Sequence, residues 1–595
     1  MAISLPHLNV KKFLAFFFIG CSLTGCLSTF TQQTNNLLQQ TAYASADYYR
    51  NQMQTATNHT SRNDFALLTV QALIRENKLA QAESLLTSLT NLNTPEQMLE
   101  KNLLNAALAA AQTHNQLAQN LLSDIPFNQL TPIQQSRYYQ IDSQIKLNQG
   151  NYIKAIEALI KRQSLTTDLA QKQQNNDQIW AILRQIPADQ LNNITVNDNQ
   201  LELQGWLDLI KLYNDNLSYP AQLSASLQQW KVIHPRHIAT YLLPTALQRV
   251  ATFQTSNLHQ IALILPLSGN GQLIGKTIEQ GFLAAKGNSP ISVKIYDSQQ
   301  GNIIQIIEKA RQEGAEAIVG PLLKTNVDIM LQRANLKQLK VLALNTSTTP
   351  QTKTNLCYFA LSPEDEAINA AQQIWQDGRR TPLIFAPQNT LGRRIAIAFN
   401  NEWRKLSGYD AETNYYENDG NISDILAGIL PPPPKNEDKN KVYIPVNITA
   451  PNDAIYAATA NALQSQKLKT TLNNSVVADQ ITLYASSRSH SPNAGVDYRL
   501  GMNGVKFSDI PLLSETDSHD YKTALMATNG DYSLTRLYAM GADAWSLINN
   551  LQAFQAIPDY HFNGFTGKLT ANSACQIERK LTWYLYNNGT LKTIN

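Results

Sequence analysis

From His259 onward the chain alternates short apolar runs with amphipathic segments, and that alternation leaves few folds open. "HQIALILPL" is an unbroken apolar run bounded by a turn, the pattern of a strand buried on both faces. A helix is expected from about Gly271 to Lys286, with Ile274, Ile278 and Phe282 on one stripe. "ISVKIYDS", "AEAIVGPL" and "LKVLALN" read as further strands, separated by the helical segments "NIIQIIEKARQEG" and "TNVDIMLQRANLK". Such alternation with short connections predicts a parallel sheet with right-handed crossovers. After "CYFALSPEDEAINAAQQIWQDG" a second series begins. Its strands are "TPLIFAP", "ETNYYE", the start of "PNDAIYAATANALQSQKL", and "ITLYASSR"; its helices include "LGRRIAIAFNNEWRKL" and "ISDILAGIL". A late helix, "SLTRLYAMGADAWSLINNL", precedes "FTGKLTAN" and "ERKLTWYLYNNGTLK", which read as β-hairpins. "PPPPKNEDKNK" (Pro431–Lys441) reads as a surface loop, because its prolines and charges disfavour sheet and helix.

The first strand-to-helix turn contains "GNGQLIGKT". A phosphate-binding loop needs G-x-x-x-x-G-K-[ST], in which successive amides wrap the phosphates. Counted back from Gly275-Lys276-Thr277, its first glycine would fall on Asn270. The dinucleotide pattern fails as well, since Gly269, Gly271 and Gly275 are spaced G-x-G-x-x-x-G. The glycines are read as a sharp turn at a sheet edge, with Gly281 allowing close helix packing.

Residues 1–25 place Lys11 and Lys12 before an apolar run from Phe13 to Ile19, which is a secretory-signal pattern. The run is far shorter than the ~20 residues of a spanning helix. Leu23-Thr24-Gly25-Cys26 resembles the bacterial lipobox, which implies acylation of Cys26 and removal of residues 1–25. Each buried acyl CH₂ contributes about 0.8 kcal/mol, so several chains hold a protein firmly to a membrane. Leu27, where sorted lipoproteins retained inside carry aspartate, implies the periplasmic face of the outer membrane. That compartment lacks ATP, which further disfavours a nucleotide site. Loss of Lys11 and Lys12 lowers the formal charge from +3 to +1, and a near-neutral chain has no electrostatic footprint for nucleic acid. With Cys26 acylated, Cys357 and Cys575 are left in an oxidising compartment, either as a disulfide or as two buried thiols.

Residues 26–45 read as a lipidated tether. From Phe65 to about Gln254 apolar residues recur at helical spacing. "AESLL" (Ala82), "AQNLL" (Ala118) and "AIEAL" (Ala155) recur after 36 and 37 residues, each behind a polar turn. This resembles tetratricopeptide repeats, although the tryptophan and glycine of the full signature are absent. A non-repeating helical bundle is the alternative. The expected organisation is a helical domain over 46–255 and a two-lobed α/β domain over 256–595.

Chemistry-bearing patterns are sparse. There is no G-x-S-x-G and no H-E-x-x-H. Ser143 and Lys146 form one S-x-x-K without companion motifs, read as chance on a polar helix face. His234 and His237 flank Pro235, which disfavours a helix presenting both to a metal. Glu364, Asp365 and Glu366 follow Ser362 and Pro363 and read as the acidic first turn of a capped helix. No enzyme activity, cofactor or metal is expected.

The two α/β series resemble the type I periplasmic binding protein fold. Together with the lipobox and the helical half, the segments "IALILPLSG", "GFLAA", "AIVGPLLK", "YFALSPEDEA", "NGFTGKLTAN" and "IERKLTWYLYNNG" resemble the penicillin-binding protein activator family. The resemblance implies a regulator that binds a class A penicillin-binding protein, a bifunctional peptidoglycan synthase, and stimulates its transpeptidase activity. The fold also implies an interlobe cleft near the carboxyl ends of strands. Its candidate residues are Ser268, Gly269, Gly320, Pro321, Asn345, Thr346, Pro387 and Thr390. A solute receptor for an amino acid or muropeptide is the alternative function.

Overall fold

The computed structural model describes residues 38, 41–254, 257–347, 349–417, 421–431, 449–459, 461–491 and 495–594. Contacts divide the chain into two units. One runs up to Lys211 and includes Lys231–Thr245; the other joins Leu212–Trp230 to the chain from Ala246 onward.

The first unit is helical. Three long helices, His59–Arg75, Pro95–Ala111 and Pro132–Asn148, are each followed by a second helix, Leu79–Ser88, Asn115–Ser123 and Tyr152–Leu165. Asn58, Thr94 and Thr131 cap the long helices with their side chains, and proline takes the first turn in the second and third. Ala82, Ala118 and Ala155 are fully buried on the second helices, where a small residue lets the helices approach closely. The turn inside each pair passes through a residue with positive φ: Asn77, Thr113 and Gly150. These recur at the same interval as the alanines, but glycine stands at only one of them, so the repeat is hidden from a glycine-based signature.

A polar stitch recurs with the pairs. The amide of Gln97 reaches back to Asp64 (2.7 Å), and that of Gln134 to Glu100 (3.4 Å). Arg137 completes the second contact by pairing with Glu100 through both ends of its guanidinium. Burial pushes the Asp64 carboxyl up to about 6 although Gln97 donates to it. Ser143, expected on a polar face, is instead buried, and Lys146 is tied to Asp142 at 2.5 Å. The serine falls on the helix stripe that packs inward, beside Ile141 and Ile145.

The second unit carries two large sheets. The first contains β1 (Gln260–Leu265), β2 (Ser292–Asp297), β3 (Ala317–Val319), β4 (Lys340–Ala343) and β5 (Leu356–Tyr358) in the order β2-β1-β3-β4-β5, all parallel. The second repeats this order with β6 (Pro382–Pro387), β7 (Glu412–Tyr416), β8 (Ala454–Ala457), β9 (Thr482–Ala485) and β10 (Lys506–Asp509), as β7-β6-β8-β9-β10. A small antiparallel sheet holds β11 (Phe562–Gly564), β12 (Gly567–Ala571) and β13 (Ile577–Lys580). The hairpin β14 (Thr582–Asn587) and β15 (Thr590–Ile594) extends the second sheet antiparallel beyond β10. This is the two-lobed α/β architecture of type I periplasmic binding proteins.

Each lobe takes one helix from across the chain. The helix Pro363–Gln376 follows β5 but packs in the second lobe, through Ala367, Ala370, Ala371 and Ile374. The helix Tyr532–Asn549 follows β10 but packs in the first, where Met540, Ala544, Leu547 and Ile548 meet Ile278 and Phe282. Ile274, expected on that buried stripe, is 41% exposed. The helix Gln272–Lys286 seats itself through Gly275, Ile278, Gly281 and Phe282, which turns Ile274 to the rim. Most of the loop beginning at Pro431 lies outside the described residues.

Candidate functional site

The carboxyl ends of the two sheets differ. At the first, the polar groups close on one another. The Leu267 amide donates to Asp297 (2.9 Å), and Asn345 donates to the Leu322 carbonyl (2.9 Å) while accepting from the Thr346 amide (2.9 Å). Burial works against ionisation at Asp297, but the Ser268 hydroxyl and nearby amides hold its carboxyl below the usual range. Gly320 joins Pro321 by a cis peptide and donates to the Leu342 carbonyl at 2.8 Å.

At the second sheet a cavity of about 810 Å³ opens at the ends of β6, β7, β8 and β9. Of the eight expected cleft residues, Pro387 alone lies on its wall. Ser268, Gly269, Gly320, Pro321, Asn345 and Thr346 share the first sheet's carboxyl edge, and Thr390 opens the helix Thr390–Ser407 exposed to solvent. The cavity is walled instead by Tyr456 from within β8, by Ser486, Ser487 and Arg488 after β9, and by the two crossing helices. Those helices supply Glu366 on one side, and Ser533, Arg536 and Leu537 on the other. Tyr456 escaped the sequence reading because it sits inside an apolar strand.

The charged groups are held firmly. Arg536 donates to both oxygens of Asp509 (2.9 and 2.6 Å) and to the Ser487 carbonyl (2.9 Å), so a first-lobe helix is bound to the second lobe. His490 meets the same carboxylate at 3.0 Å. Burial alone would raise Asp509, yet Arg536 and His490 bring it down to about 2. The acidic trio also has specific partners. Ser362 does cap the helix, accepting from the Glu364 amide. Glu364 pairs with Arg394 at 2.5 Å and Asp365 with Arg579 at 3.1 Å, while Glu366 accepts from the Ser487 amide (3.0 Å) and hydroxyl (2.8 Å).

Cys357 and Cys575 are joined as a disulfide with a Cα separation of 4.7 Å, tying β5 to the turn before β13. Beside it the Tyr358 amide donates to the Cys575 carbonyl at 2.9 Å. Cys26 lies outside the described residues. His237 accepts from the Ala239 amide, and its other ring nitrogen lies 3.0 Å from the Glu202 carbonyl; burial brings its pKa down to about 4. Among the described residues no group of three or more His, Cys, Asp or Glu is placed to hold a metal, and no helix is long and apolar enough to cross a membrane.

Residues 39–589 match the family described as "LppC putative lipoprotein". The penicillin-binding protein activator LpoA of Pasteurella multocida (strain Pm70) is 42% identical over 596 residues, covering all of both chains. The protein of that name from Haemophilus influenzae is 39% identical over 99% of each. A monoclinic crystal form of Haemophilus influenzae LpoA superposes with a TM-score of 0.82 at 39% identity, over 94% of this chain and 99% of that one.

Proposed function

The chain belongs to the LppC lipoprotein family, and from that premise we propose that it activates a class A penicillin-binding protein from a lipid anchor on the periplasmic face of the outer membrane. The observation that carries this reading is the end-to-end identity with relatives named penicillin-binding protein activators. The physical logic is that of differential binding. An activator shifts a synthase toward an active conformation only by contacting that conformation more favourably than the resting one. The anchor is Cys26, and the activity raised is transpeptidation; the chain works as a protein-binding regulator with no catalysis of its own.

The test is reconstitution. Full-length chain in detergent, added to a purified class A synthase with lipid-linked precursor, is expected to co-purify with the enzyme and to raise the crosslinked fraction of the product. A synthase that crosslinks no faster at saturating chain would sink the reading. Cys26→Ser should move the protein from the membrane fraction to the soluble periplasm, and retention in outer membranes would overturn the anchor assignment.

A further inference from the structure

The segment that leads into the helical unit is held along one face of it. Leu38 and Ala42 are 3% and 2% exposed and belong to the same buried cluster as Leu67, Leu68 and Leu104. Their backbone is gripped as well as their side chains. Arg137 donates to the Leu38 carbonyl (3.2 Å), and Arg75 donates to the carbonyls of Ala42 and Ala44. Gln71 accepts from the Ala42 amide, Glu76 accepts from the Ala46 amide (2.8 Å), and the Gln171 amide donates to the Tyr43 hydroxyl. Gln71 and Arg75 lie on the helix His59–Arg75, Arg137 on Pro132–Asn148 and Gln171 on Leu169–Leu183. One short stretch thus touches three helices that are far apart in the chain, so it crosses the repeat rather than extending it.

The stretch Leu38–Ser45 reads "LQQTAYAS" and carries no charge, so the two arginines meet it through carbonyl oxygens alone. Leu38 and Ala42 fix its register, because they are the side chains that enter closed sockets. Two buried apolar contacts and a few hydrogen bonds oppose the entropy of ordering this backbone. The opposing contributions are of similar size, so the stretch can leave while the helices stay folded. We propose that this face is a docking site for the chain's own leading segment, and that docking meters the reach of the lipid anchor. Seated, the segment leaves residues 27–37 between Cys26 and the helical unit; released, it leaves residues 27–45. At about 3.3–3.6 Å per residue, eleven residues span no more than about 40 Å and nineteen no more than about 68 Å. Release therefore adds about 28 Å of reach with no change in the helices. The consequence for reach rests on the anchor reading at Cys26, whereas the docking does not.

The test is hydrogen exchange on the full chain in detergent. Amides of residues 41–45 are expected to exchange about tenfold or more slower than in an unstructured peptide, yet about tenfold or more faster than those of Pro95–Ala111, because the segment opens without the helices. Ala42→Glu puts a charge into a closed socket and should remove that protection while leaving Pro95–Ala111 and Pro132–Asn148 unchanged. Arg75→Gln should speed exchange of the segment about threefold or more, and its half-exposed side chain makes this variant safe for the fold. In vesicles with an acceptor dye on the lipid, chain labelled through Thr87→Cys should transfer less energy once Ala42→Glu is added. A segment that exchanges as fast as an unstructured peptide, one that exchanges only together with the helices, unchanged protection in both variants, or unchanged energy transfer on release would each overturn the proposal. A chain that fails to enter vesicles would sink the anchor reading instead, and exchange in detergent would still decide the docking.

Discussion

The two lobes share one strand order and place an equivalent pair of helices against each sheet, yet they pack those helices by opposite means. In the first lobe, the helices Gln272–Lys286 and Tyr532–Asn549 meet through glycines. A Cβ on Gly281 would lie 1.9 Å from the Tyr538 carbonyl oxygen, and one on Gly541 would lie 2.0 Å from that of Ile278. In the second lobe, Pro363–Gln376 and Thr390–Ser407 meet through Ala367, Ala370 and Ala371 on one side and Phe399 and Trp403 on the other. Trp403 is fully buried, stacks on Phe399 at 6.0 Å and meets Trp375 edge-on at 5.6 Å. Topology sets where the helices go; side-chain volume sets how far apart they stand. One contact has no room for an added atom, and the other has no atom to spare.

Substitutions should separate the two solutions. Trp403→Ala is expected to have the largest effect, about 3–5 kcal/mol of lost stability in chemical denaturation, because the cavity it leaves is large and walled by rigid neighbours. A loss below about 1 kcal/mol would mean that the second lobe repacks freely. Gly281→Ala should cost about 3 kcal/mol despite adding a single methyl, since backbone must shift to admit it. If it is neutral, the close helix approach is not a constraint.

Next in size is an acid effect on the contact between lobes. Asp509 is held at about 2, below the ordinary carboxylate value, so its contribution is fully present above about pH 4 and is lost as pH falls from about 4 through 2. That contribution is about 2 kcal/mol, and Asp509→Asn should abolish this part of the pH dependence. An unchanged acid midpoint would break the assignment. Smallest is Arg394→Ala. Its pair with Glu364 is half exposed and should be worth less than about 1 kcal/mol, in contrast with the buried Arg579–Asp365 pair next to it.

Much of this architecture was legible in the sequence. Strand β1 announced itself because both of its faces are buried, which makes a continuous apolar run. Strands β5 and β10 did not. The first is three residues long, and the second, "KFSD", has Phe507 as its single apolar residue. The repeated Ala82, Ala118 and Ala155 could be counted, but the turns at Asn77 and Thr113 carry no glycine to mark them. The small residues at the first sheet's edge were correctly read as strand ends. The cavity nevertheless belongs to the other sheet, and its walls come from Tyr456 inside a strand and from helices that cross between lobes. Local pattern contains no record of which residues such crossings bring together.

The bond between Cys357 and Cys575 has a consequence for the unfolded chain. Its partners are 218 positions apart, and the whole second sheet up to β10 lies between them. The crosslink encloses the second lobe's parallel strands within one covalent loop, and it ties β5, already paired with β4, to the turn before β13. A loop of that length restricts the unfolded ensemble, which in the chain-entropy account favours the folded state by about 5 kcal/mol.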